Sequence, residues 1–264
     1  MKIILIISFT DLGSEPRVNR QIEFLKDRYK LIVCGRSSPK MEGIDFIPVE
    51  VAKTKLLNKL FMVVLLFFRH FEAVYWRYSH IKEAQGVLAG LKPDLVIAHD
   101  IETVPLVLRM FPLSKIILDA HEYAPRQFED RFFWRLLIQP FKNYLCKRYM
   151  LKINASITVS QGIADEYEKQ YGVKPSVITN APFFHRIKAR KTDPSKIRLI
   201  HHGITNPSRK IENMIRLIDH LDERFYLDLM LKASNYPQYL AQLKSMAADR
   251  KRVRLLEPVP MNSI

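Results

Sequence analysis

The chain has 264 residues, with 42 Lys and Arg against 27 Asp and Glu, giving a formal net charge of +15. At roughly 150 residues per domain, that length means one large domain or one domain and part of another. Hydrophobic residues at 48% and charged residues at 26% exclude disorder throughout, and 8 Gly and 15 Pro without a tract of either exclude collagen-like and mucin-like chains.

The chain opens on a continuous apolar run, Lys2–Ser8, which predicts a fully buried strand. This start imitates a signal peptide, but Asp11, Glu15 and Arg17 follow it without a small-residue cleavage site. With only two cysteines, Cys34 and Cys146, neither a disulfide framework nor a Cys-based zinc site is available, and a reducing cytoplasm is the simplest compartment. A helix is expected from Pro16, capped by Ser14 or Glu15, with Val18, Ile22 and Leu25 at helical spacing. Strands follow at Leu31–Cys34 and Asp45–Val49.

Lys55 to Leu91 reads as two helices. The apolar run Leu60–Phe68 within it is nine residues long, about half of a membrane span. Asp94–Ala98 is a strand, Ile101–Met110 a helix, Lys115–Asp119 a strand, and Arg131–Leu151 a long helix bent or broken near Pro140. Ala155–Val159, a helix Gln161–Tyr171 ended by Gly172, and Ser176–Thr179 complete the run. Alternating strands and helices predict a doubly wound parallel sheet over 1–182. The stretch 183–196 carries five basic residues and reads as a linker. A second alternation fills 197–264: strands at Ile197–His201, Phe225–Leu231 and Val253–Leu256, and helices at Ile211–Leu221 and Gln238–Ala248. That is about half of a Rossmann-type domain.

Parallel sheets bind ligands at the carboxyl ends of their strands. The first such loop lacks GxGxxG but places Asp11 and Arg17 around a helix N-terminus, which suits an anionic or polyhydroxylated ligand as well as a plain cap. His99-Asp100 and His121-Glu122 follow successive strands, as a site or as core histidines. No HExxH or comparable spacing marks a metal site.

With Asp119-Ala120-His121-Glu122, Ile157-Thr158-Val159-Ser160 running through Tyr171-Gly172 to Val177-Ile178-Thr179-Asn180-Ala181-Pro182, and His202-Gly203 followed by Arg209-Lys210, the sequence resembles the family 4 glycosyltransferases of the GT-B fold. The resemblance covers nearly the whole chain. It implies two Rossmann-type domains, an N-terminal acceptor-side domain and a C-terminal nucleotide-sugar-binding domain. It also implies transfer of a sugar, with retained anomeric configuration, from a UDP- or GDP-type donor to a hydroxyl acceptor such as a lipid-linked glycan of the cell envelope. His121 and Glu122 would sit at the reacting centre, Gly203, Arg209 and Lys210 on the donor diphosphate, and Asp11 and Arg17 on the acceptor side. No metal and no cofactor beyond the substrate are implied. Two departures matter: Ile204 stands where the family often has Arg, and the family's Glu-x7-Glu region would fall beyond residue 264. The second domain is therefore expected to be incomplete, and a catalytically inactive membrane-surface binding module is the alternative.

The charge is clustered. Arg131 to Lys152 holds six basic residues and no acidic one among Phe132, Phe133, Trp134, Phe141, Tyr144 and Tyr149, with Arg131, Arg135 and Lys142 on one helical face. In 53–77, Lys53, Lys55, Lys59, Arg69 and Arg77 surround the apolar run. Both stretches suit peripheral binding to the anionic inner face of the cell membrane, or packing helices with basic outer faces. Nucleic acid is not an expected partner, because no helix-turn-helix, RNP, KH or zinc-finger signature accompanies the charge.

Overall fold

The computed structural model describes residues 1–259 other than 51, 53, 54, 182, 183, 185, 187 and 235. Lys53, Pro182 and Phe183, singled out above, lie outside the described residues. The chain divides into two compact units, Met1–Pro182 and Phe183–Ile264.

The first unit is built on β1 (Ile3–Ile7), β2 (Lys30–Gly35), β3 (Ile44–Pro48), β4 (Leu95–His99), β5 (Lys115–Ala120), β6 (Ala155–Thr158) and β7 (Ser176–Val177). They pair in parallel in the order β3-β2-β1-β4-β5-β6-β7. Winding reverses where the chain leaves β3 and returns to lay β4 against β1, so a crevice opens between the carboxyl ends of those two strands. Both sheet faces are covered, which is why the strands read as unbroken apolar runs. Ile4 and Ile6 pack with Val18 and Ile22 of α1 (Pro16–Leu25), while Leu5 and Ile7 join a larger core with Val96, Leu118, Phe141 and Tyr167.

The helices depart from expectation at one point. Residues 55–91 form three helices, α2 (Leu56–Phe67), α3 (Phe71–Tyr75) and α4 (Ser79–Val87). Arg69 takes a left-handed φ of 59°, and the amides of Arg69 and His70 donate to the carbonyls of Leu66 (3.0 Å) and Leu65 (2.8 Å). This is a Schellman stop made without the glycine that announces one. The predicted 131–151 helix is interrupted as its proline suggested. A π-turn, Trp134–Ile138, closes on a bond from the Gln139 amide to the Trp134 carbonyl, and α6 (Gln139–Tyr149) restarts with Pro140 in its first turn. The unit is completed by α5 (Val104–Met110) and by α7 (Gln161–Tyr171), which ends on left-handed Gly172.

The second unit has three parallel strands in the order β10-β9-β8: β8 (Ile197–Ile204), β9 (Phe225–Lys232) and β10 (Val253–Leu256). Ile211, Ile215 and Ile218 of α8 (Ile211–His220) and Leu243 and Ala247 of α9 (Pro237–Ala248) pack with Leu227, Leu229 and Leu231 of β9.

One buried ion pair ties the first unit together. Arg17, in the first turn of α1, donates through Nε (2.8 and 3.0 Å) and Nη2 (2.8 Å) to Asp119 at the end of β5, and through Nη1 to the Ile178 carbonyl (2.9 Å). The two side chains are 6% and 0% exposed. Removing one partner strands a charge in the core, whereas replacing both with apolar residues does not. Asp119→Ala is expected to lose about 3–5 kcal/mol in urea unfolding, and Arg17→Met/Asp119→Leu clearly less. Equal losses in the two variants would contradict this coupling.

Candidate active site

The candidate site residues of the first unit lie at the carboxyl ends of β4 and β5. His99, the last residue of β4, is 1% exposed. Its Nδ1 lies 2.8 Å from His121 Nε2 and 3.7 Å from Asp119 Oδ2, while its Nε2 is buried without a hydrogen-bond partner. Burial pushes its pKa down to about 3, so the imidazole is neutral at physiological pH. A proton on Nδ1 satisfies the bond to His121 and avoids an orphaned buried N–H. That assignment makes His121 Nε2 the acceptor of this bond.

Neighbouring elements hold the turn after β5. Tyr167 of α7 donates its hydroxyl to the Glu122 carbonyl and accepts the Ala124 amide, both at 3.0 Å. Thr158 of β6 donates to the Ala120 carbonyl at 2.9 Å. The Glu122 side chain is exposed, and desolvation, followed by the Asp100 carboxylate, holds its carboxyl above the ordinary range.

Asp100 is the strained member of the group. Its φ of 63° and ψ of 154° belong to a region that is essentially reserved for glycine. The conformation is over-determined: the Asp100 amide donates to the Asp119 carbonyl (3.0 Å), and the Thr103 hydroxyl to the Asp100 carbonyl (2.8 Å). It aims the carboxylate near the His121 amide, 3.4 Å away. Asp100 and His99 line a cavity of about 330 Å³ with Phe9, Thr10 and His80, at the crevice between β1 and β4. Lys142 and Glu102 form an ion pair in its wall, and burial pushes the Lys142 ammonium down to about 8.

Four sequence expectations change or narrow here. Arg17, expected on the acceptor side, is buried, and its Nε, Nη1 and Nη2 are committed to Asp119 and Ile178. Asp11 acts as a cap: its carboxylate accepts from the Gly13 amide and from the Ser14 and Ser37 hydroxyls, which hold its pKa low, Ser37 foremost. Neither Ser14 nor Glu15 caps α1 through its side chain. Lys142 faces the core, away from the basic surface assigned to it. His99 and Asp100 stood out in sequence as a His-acid pair and Asp119 as part of the Asp119-Ala120-His121-Glu122 segment, whereas the Lys142–Glu102 pair carried no local signal. His99, Asp119 and His121 bring one ligand atom each within 4.8 Å of one another. Asp119 is occupied by Arg17 and Gln21, and His99 by His121, so the trio is a hydrogen-bonded relay and not an open ligand set.

In the second unit, Gly203 near the end of β8 has φ 148°, and a Cβ there would meet Arg209 Nη1 at 3.1 Å. The guanidinium could shift by a few tenths of an ångström to admit a side chain, so it is the positive φ that favours glycine here. Arg209 closes a short turn capped by Asn206, whose side chain accepts the Ser208 amide at 3.1 Å. Lys210 follows in a left-handed conformation, φ 49°, immediately before α8. Both cations are exposed, and among the described residues neither forms an ion pair. Burial, then Arg209 and His202, lower the pKa of His201. His202, Gly203, Ile204 and Lys232 line a cavity of about 250 Å³ at the ends of β8 and β9. Lys232, a third cation at this strand end, was not singled out by sequence.

His99 stays neutral in the native state down to about pH 3, whereas an unfolded histidine binds its proton near pH 6.5. Between those values the unfolded state takes up the proton, so this group withdraws stability as pH falls, by at most about 1.4 kcal/mol per pH unit. His99→Gln is expected to flatten urea stability between pH 6.5 and 4 relative to wild type, and parallel curves would contradict the assignment. Asp100→Gly is expected to gain about 1–3 kcal/mol from relieved strain in the same measurement while it weakens the site. A loss of stability would contradict the strain.

The sequence profile of Glycosyltransferase Family 4 matches residues 13–182. No curated protein matches the chain. Among solved structures, Anabaena HepE in complex with UDP-glucose superposes with a TM-score of 0.60 at 16% identity, covering 98% of this chain and 70% of that one. TarM, known from S. aureus, superposes at 0.64 with 11% identity and 99% and 77% coverage. The lipopolysaccharide outer core galactosyltransferase WaaB gives 0.58 with 10% identity and 100% and 70% coverage. The match to these structures places the two parallel-sheet units in the GT-B fold. With the profile spanning well over half of its length, the chain belongs to Glycosyltransferase Family 4.

Proposed function

We propose that the protein transfers a sugar, with retention, from a UDP- or GDP-type nucleotide sugar to a hydroxyl of a lipid-linked glycan in cell-envelope polysaccharide synthesis. The observation that carries this reading is His121, which follows β5 with its Nε2 2.8 Å from Nδ1 of buried His99. As the glycosidic bond breaks, negative charge develops on the departing diphosphate. Pre-placed cations stabilise that charge more in the transition state than in the ground state. Arg209 and Lys210, with Lys232 nearby, supply them in the second unit. His121 contacts the transferred sugar, Asp100 and Glu122 orient polar groups beside it, and the cavity at β1 and β4 takes the acceptor.

The relatives support the substrate class. HepE is known in complex with UDP-glucose, TarM with UDP and alpha-GlcNAc-glycerol, and WaaB is a lipopolysaccharide outer core galactosyltransferase. The surface supports a membrane-borne acceptor and a peripheral place on the inner face of the membrane. Among the described residues no helix is long and apolar enough to cross a membrane. α2 nevertheless exposes Leu57 (79%), Leu60 and Phe67 (65%), and the segment ahead of α6 exposes Phe132 and Phe133 (75%). α2 packs against the π-turn, so the two basic aromatic stretches lie side by side. An apolar patch rimmed by Lys and Arg suits an anionic bilayer. Phe141 and Tyr149 belong to the core and do not contribute to it.

Purified protein is expected to move labelled sugar from one of a panel of UDP- and GDP-sugars into a membrane lipid extract. His121→Ala should lower kcat by about 100-fold or more with an unchanged melting temperature. Arg209→Ala should lower kcat/KM for the donor by about ten-fold or more. A folded wild-type chain that turns over no donor would overturn the enzyme reading in favour of a binding module.

A further inference from the structure

The cavity at the β1–β4 crevice, of about 330 Å³, is at the small end of the range for small-molecule sites and suits a sugar ring better than an extended chain. Part of its wall is aromatic. The His80 ring lies edge-on to Phe9, with centroids 4.8 Å apart, and stacks with Tyr78 at 5.2 Å. Burial lowers the pKa of His80 as it does that of His99, so both imidazoles are neutral at physiological pH. The apolar C–H face of a pyranose packs against such rings without the help of a charge.

The polar lining has acceptors to spare, while its donors are in use. The Tyr75 hydroxyl donates to the Glu102 carbonyl at 2.7 Å, the Thr10 hydroxyl is shared with Ser8 at 2.8 Å, and the Lys142 ammonium is paired with Glu102. By contrast, Glu102 Oε2 and His99 Nε2 are buried without a hydrogen-bond partner. With the His99 proton on Nδ1, that nitrogen is an acceptor. The Asp100 carboxylate, aimed by its strained backbone, has only a long 3.4 Å contact with the His121 amide among the described residues. A ligand that completes this lining must bring hydrogens. Its charge is restricted as well. Two carboxylates, Asp100 and Glu102, stand against one ammonium, Lys142, which is already paired. Arg36 acts on His80 from beyond β2 but does not line the cavity. An anion placed here would meet Asp100 in a partly desolvated site with no free cation to answer it.

We infer that this cavity selects the acceptor by charge: it takes a pyranose that donates hydroxyl hydrogens to Asp100, Glu102 and His99, and it rejects sugars bearing a carboxylate or phosphate. The inference rests on the glycan acceptor proposed above and names the class of sugar at its accepting end. Asp100 is the residue that sets the selection, because its charge, unlike that of Glu102, is not cancelled by Lys142.

The test is a ligand-observed NMR titration of the whole chain with matched pairs of methyl hexopyranosides and methyl hexuronides in the gluco, galacto and manno configurations. The members of each pair differ only in whether C6 carries a hydroxyl or a carboxylate. In the configuration that binds best, the neutral glycoside is expected to bind at least about ten-fold more tightly than its uronide. Asp100→Asn keeps the shape of the side chain and removes its charge, and it should cut that preference to about three-fold or less, chiefly by improving uronide binding. Phe9→Leu removes a ring from the wall and should weaken both members of the pair alike. Circular dichroism melts check that the variants fold. A uronide that binds as tightly as its neutral partner, a preference that Asp100→Asn leaves intact, or no binding of any glycoside overturns the inference. The titration needs neither donor nor turnover. Absence of sugar transfer with the preference intact counts against the proposed reaction, whereas efficient transfer to a uronide-ended acceptor counts against the charge selection and leaves the reaction standing.

Discussion

The site of the first unit depends on a guanidinium buried against a carboxylate. Asp119 ends β5 in the core, where an unpaired charge is not tolerated, and Arg17 reaches it from an element 102 residues earlier in the chain. The same guanidinium holds the Ile178 carbonyl beyond β7. One side chain thereby fixes α1, the end of β5 and the exit of the sheet relative to one another. A buried pair contributes little net stability compared with apolar packing, and its value is geometric. It leaves Asp119 beside His99, His99 bonded to His121, and His121 as the group that emerges at the strand end. The relay turns a core ion pair into the orientation of one imidazole.

Both units place non-glycine residues in left-handed backbone next to their strand ends. Asp100 follows β4, and Lys210 precedes α8. Each conformation costs energy that surrounding hydrogen bonds must hold in place, and each presents a charged side chain at a turn where a straighter path would not. Gly203 also takes a positive φ, with the Arg209 guanidinium close to it. Position at the carboxyl edge of a parallel sheet, and not any one residue type, is common to all of these groups.

Much of the fold was legible because parallel strands covered on both faces are continuous apolar runs, and because Gly172 and Pro140 act through the backbone, whatever their neighbours. Arg69 was not legible as a helix stop, since nothing in a basic side chain announces a positive φ. The roles of Arg17 and Lys142 were misread for a related reason: a charged residue near a helix start or on a helix face looks solvated until its partner arrives from elsewhere in the chain. Asp119 and Glu102 are those partners, and only the folded topology brings them close. His121, Glu122, Gly203, Arg209 and Lys210 were singled out because they stand in motifs that resemble the family's, at or after strand ends. Lys232 also ends a strand, but no neighbouring pattern drew attention to it. The two basic aromatic stretches were visible separately, while their adjacency needed the packing of α2 on the π-turn.

The central claim is that the donor diphosphate is met by the loop between β8 and α8. Amide hydrogen exchange of the whole chain with and without UDP tests it most directly, because it reads location without requiring turnover. Protection by UDP concentrated in residues 202–212, and lost in Arg209→Ala, is the predicted result. Protection confined to other segments, or unaffected by removing Arg209, would contradict the account.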